Sequence, residues 1–297
     1  MTAFSTPGRF YKGNLHTHST RSDGARDPES VCGAYREAGY DFLALTDHFL
    51  AKYGFPIVDT RDYRTNSFTT LLGAEVHAPQ TRLGELWHIL CVGLPLDFAP
   101  TGEAELAAAL AQRCAEAGAF VAIAHPAWYA LTVDDAETIG CAHAVEIYNH
   151  TSAVRTDRGD GWYLLDQLLA RGKHLTGCAN DDAHFKCDDA FGGWVMVKAE
   201  TNEPELLLAA LKAGNYYSSQ GPLIHDLRVE RDEIEISCAK AAAVMLLGRG
   251  SRAEQVLAPV HERVRLPSAK FRGDYVRAVV VDEQHRHAWS NPIWLPA

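Results

Sequence analysis

Two histidines one residue apart, His16 and His18, stand in "YKGNLHTHSTRSDG" (residues 11–24), with Asp23 five residues further on. In an extended segment, side chains at i and i+2 point to the same face. Two imidazoles aimed into one pocket are what a strand can offer a divalent cation. For this pair alone, exposed turn histidines are the better account. The rest of the chain changes the balance. His48 ends "FLALTDH", Glu75 ends "TTLLGAE", His88 begins "HILCVGL" and His125 ends "AFVAIAH". Asp182 and His184 repeat the i, i+2 spacing at the end of "HLTGCANDDAH". Nine donors thus fall at the tips or mouths of successive apolar runs, which chance placement does not explain. Clustered divalent ions lower the pKa of a bound water, polarise an electrophile and hold charge that develops in a transition state. The expected nucleophile is therefore hydroxide, and "GCAN" around Cys178 is not a covalent-nucleophile motif.

Such donors need rigid carriers, and from residue 11 to about 220 β-like runs alternate with helix-like runs. "PESVCGAYREAG" starts at Pro28 and ends at Gly39, matching the N-terminal proline and C-terminal glycine preference of helices. "EAELAAALAQRCAEAG", "GWYLLDQLLARG" and "EPELLLAALKAG" read as further helices closed by Gly118, Gly172 and Gly214. The alternation predicts a parallel β/α architecture with its polar chemistry at the strand tips, as in β/α barrels. An open doubly wound sheet is the rival, but no GxGxxG loop follows the first strand. Past residue 221 helix signals fade. "DLRVERDEIEISC", "HERVRLP" and "DYVRAVVVDEQHRHAW" alternate apolar and polar residues as strands do. Residues 1–220 are thus expected to form the metal-binding unit. Residues 221–297 are expected to be a small all-β domain packed on it, since ~75 residues make a thin core alone.

The chain has 297 residues and a formal net charge of -10, which disfavours nucleic acid and anionic membranes as partners. No apolar run approaches the ~20 residues of a membrane span. The N-terminus lacks the apolar core of a secretory signal. The seven scattered cysteines include no CxxC pair, which fits a reducing cytoplasm better than a disulfide framework.

Taken in order, "NLHTHSTRSDG", "LALTDH", "GAEV", "AHP" and "NDDAH" resemble the successive motifs of the PHP family, named for polymerase and histidinol phosphatase, over about residues 10–220. The resemblance implies an α/β fold of a particular kind: a distorted seven-stranded (β/α) barrel of PHP type. It also implies two or three divalent metal ions, commonly zinc, manganese or iron. Carried over residue by residue, it implies a first position held by His16, His18, Glu75 and Asp182. A second would take Glu75 as a bridge with His88 and His125. A third would take Asp23, His48 and His184. His88 is preferred to His77 because it opens a strand of its own, which leaves His77 as a pocket residue or a support for a ligand. Asp47, beside His48, either orients a ligand or takes a proton, or is an ordinary capping aspartate. The segments "NYYSSQGPLI" and "DYVRAVVVDEQHRHAWSNPIWL" resemble the tail of the CehA/McbA branch of the family, whose members include carbamate hydrolases.

The reaction expected from this set is hydrolysis of a small phosphate ester by a metal-bridging hydroxide, with Asp182, His184, Asp47 and Glu75 as catalytic residues. Arg155 and Lys186, which follow the tips carrying His150 and His184, are candidate phosphate contacts. Asn149, His150 and His77 are candidate pocket residues. Trp128, Tyr129, Trp162 and Tyr163 either select an aryl group or pack on loops. Hydrolysis of a carbamate, ester or amide by the same cluster is the alternative, and a metal-free scaffold is the third reading. The expected partner is a small, phosphorylated molecule.

Overall fold

The computed structural model describes residues 2–257 and 262–297. His261, which opens "HERVRLP", lies outside them. In chain order the elements are β1 (Arg9–Asn14), α1 (Pro28–Glu37), β2 (Phe42–Leu45), β3 (His48–Phe49), β4 (Thr69–Ala78), β5 (Trp87–Val92), α2 (Ala107–Glu116), β6 (Phe120–Ile123), α3 (Val133–Ala136), β7 (Ala144–Asn149), α4 (His150–Thr156), α5 (Trp162–Ala170), β8 (Thr176–Asn180), β9 (Trp194–Ala199), α6 (Pro204–Lys212) and β10 (Tyr216–Ser219). Then come β11 (Ile224–Val229), β12 (Glu233–Cys238), β13 (Ala243–Gly248), β14 (Ala253–Leu257), β15 (Arg263–Pro267), β16 (Tyr275–Val281), β17 (His287–Ser290) and β18 (Ile293–Trp294).

The helices form where the punctuation predicts them. Pro28 and Pro204 occupy first-turn positions, and the Asp27 side chain caps α1 by accepting from Ser30 N at 2.8 Å. Gly39, Gly118, Gly172 and Gly214 follow the helices with positive φ, where a Cβ would be strained. Each helix buries one stripe, such as Ala107, Leu110, Ala111 and Cys114 of α2.

Strand order through the first two-thirds of the chain is β10-β9-β1-β2-β4-β5-β6-β7-β8. β1–β2, β2–β4, β6–β7 and β7–β8 pair in parallel, whereas β4–β5 and β5–β6 are antiparallel. The parallel architecture expected from the sequence therefore fails at β5, and again at β9 and β10, since β1–β9 and β9–β10 are antiparallel. Residues 79–86 are too few to carry a crossover, so the chain turns straight back. Past β8, Asp182 N donates to the His16 carbonyl and His18 N to the Ala183 carbonyl, each at 2.9 Å, around a parallel bridge between Thr17 and Ala183. These bonds carry the extension of β8 back to that of β1.

Period-two alternation then sorts the strands' side chains. One face joins Phe42, Ala44, Leu71, Leu90, Val92, Phe120, Ala122, Ala144 and Cys178 in an apolar cluster. The opposite face sends Val76, Ile89, Val121, Val145 and Ala179 into a separate cluster with α2 and α5. Continuing in steps of two along the first face leads from Leu71 to Glu75 and His77, from Leu90 to His88, from Ala144 to Glu146, and from Cys178 to Asn180. The apolar cluster is the floor beneath the polar residues. Gly13 of β1 is needed for its closeness, since a Cβ there would lie 2.1 Å from the buried Phe42 ring. Gly13→Ala is expected to cost about 1–3 kcal/mol by overpacking. A guanidinium unfolding midpoint equal to wild type would contradict this.

After β10 the described chain adds strands and one short 3₁₀ turn. β17 pairs with β10 and continues the large sheet as β17-β16-β13-β14, while β11-β12-β15 form a separate antiparallel sheet. Arg277 of β16 donates to Asp166 of α5 at 2.9 Å and lies 3.7 Å from the Trp162 ring centroid. Gly177 N of β8 donates to Asn291 Oδ1 at 2.9 Å.

Candidate metal centre

The nine donors read from the sequence gather at one end of the sheet. His16 and His18 lie just beyond β1, with the Thr17 bridge between them keeping the backbone extended. Both rings are fully buried. His48 opens β3 in register with Glu75 of β4, and His77 of β4 stands directly opposite His88 of β5. His125 follows β6 at φ 22° and Asp182 follows β8 at φ 57°. Non-glycine residues in that region signal strain, which here aims two donors inward.

Glu75 is the hub. Its carboxylate oxygens lie 2.5 Å from His48 Nδ1, 2.8 Å from His88 Nδ1 and 2.9 Å from His125 Nε2. His16 Nε2, His77 Nε2 and His18 Nε2 follow at 3.5, 3.6 and 3.8 Å. Asp182 Oδ1 lies 2.9 Å from His18 Nε2 and 3.3 Å from His16 Nε2. Asp23 Oδ1 lies 3.2 Å from His184 Nε2 and 3.4 Å from His48 Nε2.

Of these close approaches only His88 Nδ1 and His125 Nε2 to Glu75 Oε1 are hydrogen bonds. His16 Nε2, His18 Nε2, Asp23 Oδ1, Glu75 Oε2, His125 Nδ1 and Asp182 Oδ1 are buried without a hydrogen-bond partner among the described residues. Leaving one such group bare costs about 1–3 kcal/mol. Six in one cluster fit a site whose partners are cations, and the imidazole and carboxylate donors suit zinc, manganese or iron. Four sets have ligand atoms within 4.8 Å of one another: His18, Asp23, His48 and His184; His48, Glu75, His77 and His88; His16, His18 and Glu75; and His16, His125 and Asp182. His18 thus joins the group expected from Asp23, His48 and His184 alone, and His77 joins Glu75 and His88.

The electrostatics follow from burial and crowding. Burial opposes the charged forms of Glu75 and Asp182, but the surrounding imidazoles outweigh it and hold both carboxyls well below the usual range. Burial, reinforced by His48 and His184, pushes His18 down to about 3, so its ring is neutral and able to coordinate. Burial likewise holds His77 and His88 low. At His184 burial is outweighed by the adjacent Asp23 and Asp182, which lift it to about 9.

A buried framework orients the donors. Glu146 of β7 accepts from His16 Nδ1 at 3.0 Å, His125 N at 2.7 Å, and the side-chain amides of Asn149 and Asn180 at 2.9 Å each. Sequence reasoning missed Glu146, although its two-residue offset from Ala144 marked the inner face. Asn149 caps α4 and also donates to Asp182 Oδ2 at 3.2 Å. Asp181 faces away. It accepts from Tyr35 Oη and from the backbone of Phe191, Gly192 and Gly193, and burial pushes its carboxyl up to about 6. Asp47 has both oxygens occupied by Ser19 and by Ser22 Oγ, so it organises the loop that leads to Asp23.

A cavity of about 290 Å³ opens over the cluster, lined by Asp23, His48, His88, His125, Asp182 and His184 on one side. Trp128, Thr151, Ser152, Arg155 and Thr156 complete it. Arg155 is exposed and makes no ion pair among the described residues. Lys186 Nζ instead pairs with Asp23 Oδ2 at 3.2 Å. His150 lies apart, its Nδ1 2.9 Å from Tyr148 Oη. His77 is buried behind His48 and His88 and does not line the cavity. Trp128 is 42% exposed, its ring centroid 5.2 Å from that of His125 and 5.5 Å from that of His88. Trp162 is buried against Arg277, and Tyr163 points to solvent.

No family model matches the chain, and no curated protein matches it in sequence. Solved structures do. A two-domain protein from Bacteroides vulgatus, described as containing a predicted PHP-like metal-dependent phosphoesterase, aligns over 94% of each chain with TM-score 0.55 and 15% identity. The chain therefore shares its fold with that protein. Weaker likenesses join it to a provisionally assigned metal-dependent phosphoesterase of Bifidobacterium adolescentis (TM-score 0.43, 14% identity, 59% of this chain and 88% of that one) and to an amidohydrolase of Chromobacterium violaceum with bound sulfate and no metal (TM-score 0.41, 16% identity, 60% and 89%). Those two scores are too low to bear on the fold. Among the described residues no helix is long and apolar enough to cross a membrane.

Proposed function

We propose that the chain is a metal-dependent hydrolase of PHP type, a phosphoesterase acting on a small phosphate ester. One observation carries this reading: a buried cluster of imidazole and carboxylate atoms without partners among the described residues opens into a cavity that also holds a guanidinium, Arg155, with no ion pair among them. We read the strands β1, β2 and β4 to β8 as a closed seven-stranded barrel, with residues 1–220 as the catalytic unit and 221–297 as a β domain packed on it. Two or three divalent ions would be held by His16, His18, Asp23, His48, Glu75, His88, His125, Asp182 and His184.

When bound, such ions supply an activated water and positive charge against an anionic transition state. The chain's own residues do the rest. Arg155 presents a forked donor to a phosphoryl oxygen, which suits tetrahedral anions. Thr151, Ser152 and Thr156 of the same helix, α4, line the cavity beside it. Asp47 is a positioning residue here rather than a proton acceptor, because its oxygens hold Ser19 and Ser22. The partner is a small molecule, and the cytoplasm remains the compartment we assign.

The second reading, hydrolysis of a carbamate, ester or amide, draws on Trp128. Its half-exposed indole beside His88 and His125 offers a flat apolar surface to an aryl leaving group. We place this reading, and the CehA/McbA branch with it, behind the phosphoesterase because Arg155 faces the same cavity.

The test is a split screen of phosphate monoesters against aryl carbamates and carboxyl esters, after loading with zinc or manganese. Arg155→Ala is expected to raise KM for the phosphate ester about tenfold, as loss of one charge-assisted hydrogen bond would, with metal content unchanged. Turnover of carbamates alone, indifferent to Arg155, would favour the second reading.

A further inference from the structure

We propose that His77 is a tenth metal ligand and that His77, His88, Glu75 and His48 Nδ1 form a cation site of their own on the β3–β4–β5 face. This rests on the reading of the cluster as a metal centre and assigns within it a site that the nine-residue pattern does not contain.

Strand geometry makes the site. Glu75 and His77 are two apart on β4 and share a face. His48 of β3 is in register with Glu75, and His88 of β5 is in register with His77. All four ligand atoms lie within 4.8 Å of one another. His77 is set up as a ligand in the usual manner of metal-bound imidazoles. Its Nδ1 donates to the Trp87 carbonyl at 3.1 Å, which fixes the tautomer and leaves a lone pair on Nε2. That lone pair points inward, 3.0 Å from His48 Nδ1 and 3.6 Å from Glu75 Oε2.

Hydrogen bonding alone cannot satisfy this corner. His48 Nδ1 carries at most one proton, yet two buried acceptors crowd it: His77 Nε2 at 3.0 Å and Glu75 Oε2 at 2.5 Å. Glu75 Oε2 is left without a hydrogen-bond partner among the described residues. One cation satisfies His48 Nδ1, His77 Nε2 and Glu75 together, with His88 completing three nitrogens and one carboxylate. That set selects zinc or cobalt over magnesium or calcium. With Nδ1 on the cation, His48 Nε2 carries the ring's N–H and points to Asp23 Oδ1 at 3.4 Å, and release of that proton would let the ring bridge, as an imidazolate, to a cation in the Asp23, His18 and His184 group.

The experiment uses the full chain stripped of metal and titrated with cobalt(II), reading bound equivalents and the visible spectrum. His77→Asn keeps a donor for the Trp87 carbonyl but removes the Nε2 lone pair. It is expected to lose one cobalt equivalent, or to weaken it about 100-fold, and to change the d–d bands, with an unchanged far-ultraviolet circular dichroism spectrum. A purely supporting role for His77 could also weaken binding, so His77→Cys decides the matter. A thiolate in contact with the ion produces a sulfur-to-cobalt charge-transfer band in the near ultraviolet, and a thiol that only supports His48 does not. That band confirms the site. Its absence in a folded, cobalt-loaded His77→Cys chain, with the wild-type stoichiometry retained, overturns it. A wild-type chain that takes up no cobalt sinks the metal-centre reading itself, an outcome distinct from the other two.

Discussion

Replacing Glu75 by glutamine is expected to strip the chain of the cations that Glu75 would share, and of its turnover with them, while leaving the fold in place. Glu75 is fully buried, and its two oxygens lie within 3.8 Å of six imidazoles. Glutamine keeps the volume but removes the one anion at the centre of those rings. The loss in cation affinity should exceed the about 100-fold that removal of a mere supporting partner costs. Thermal melts with and without zinc give the cleanest check. A wild-type chain at a hundred times the dissociation constant of a site gains about 2.7 kcal/mol of stability from it, and Glu75→Gln should keep only the gain from the Asp23, His18, His48 and His184 group. An undiminished zinc-dependent rise in Tm in the variant would take Glu75 out of the site.

Glu146→Gln is expected to have the next largest effect, although Glu146 touches no cation in this account. All four of its partners are donors: His16 Nδ1 and Asn180 Nδ2 at Oε1, His125 N and Asn149 Nδ2 at Oε2. Whichever way the new amide is placed, its NH₂ faces donors. The cost is about 1–3 kcal/mol of stability from unmatched buried groups. His16 and His125 lose their orientation as well, which should weaken cation binding about 10- to 100-fold. Urea unfolding and zinc titration read the two effects separately. A variant with wild-type unfolding and wild-type affinity would mean that His16 is held by something else.

The clustered donors were legible in the sequence because their chemistry is specific and most of them sit at the tip or mouth of an apolar run. Helix limits were legible because proline and glycine have strong backbone preferences, as at Pro28 and Gly39. What was not legible depends on pairing. "WHILCV" reads the same whichever way the strand runs, and the short connection at 79–86 was the one clue that β5 is reversed. His77 and His88 looked like rivals for one role because their spacing along the chain hides that they are cross-strand partners. Glu146 sits alone in "AVEIYN" with no donor at i±2, so nothing beyond its alternation with Ala144 marked it. Asp47 sits beside His48 in sequence, yet neighbouring residues of an extended chain point to opposite sides, and it serves the Ser19–Ser22 loop instead.

The measurement that bears most directly on the account is elemental analysis of the purified chain after dialysis against zinc, manganese and iron, done in parallel on wild type and on Asp182→Asn. Asp182 Oδ1 is buried, without a hydrogen-bond partner among the described residues, and within 3.3 Å of both His16 and His18. Two or more tightly held divalent ions are expected per wild-type chain, and fewer, with no hydrolysis, in the variant. A folded wild-type chain that retains no divalent ion under any of these conditions, or a variant that matches it ion for ion, would contradict it.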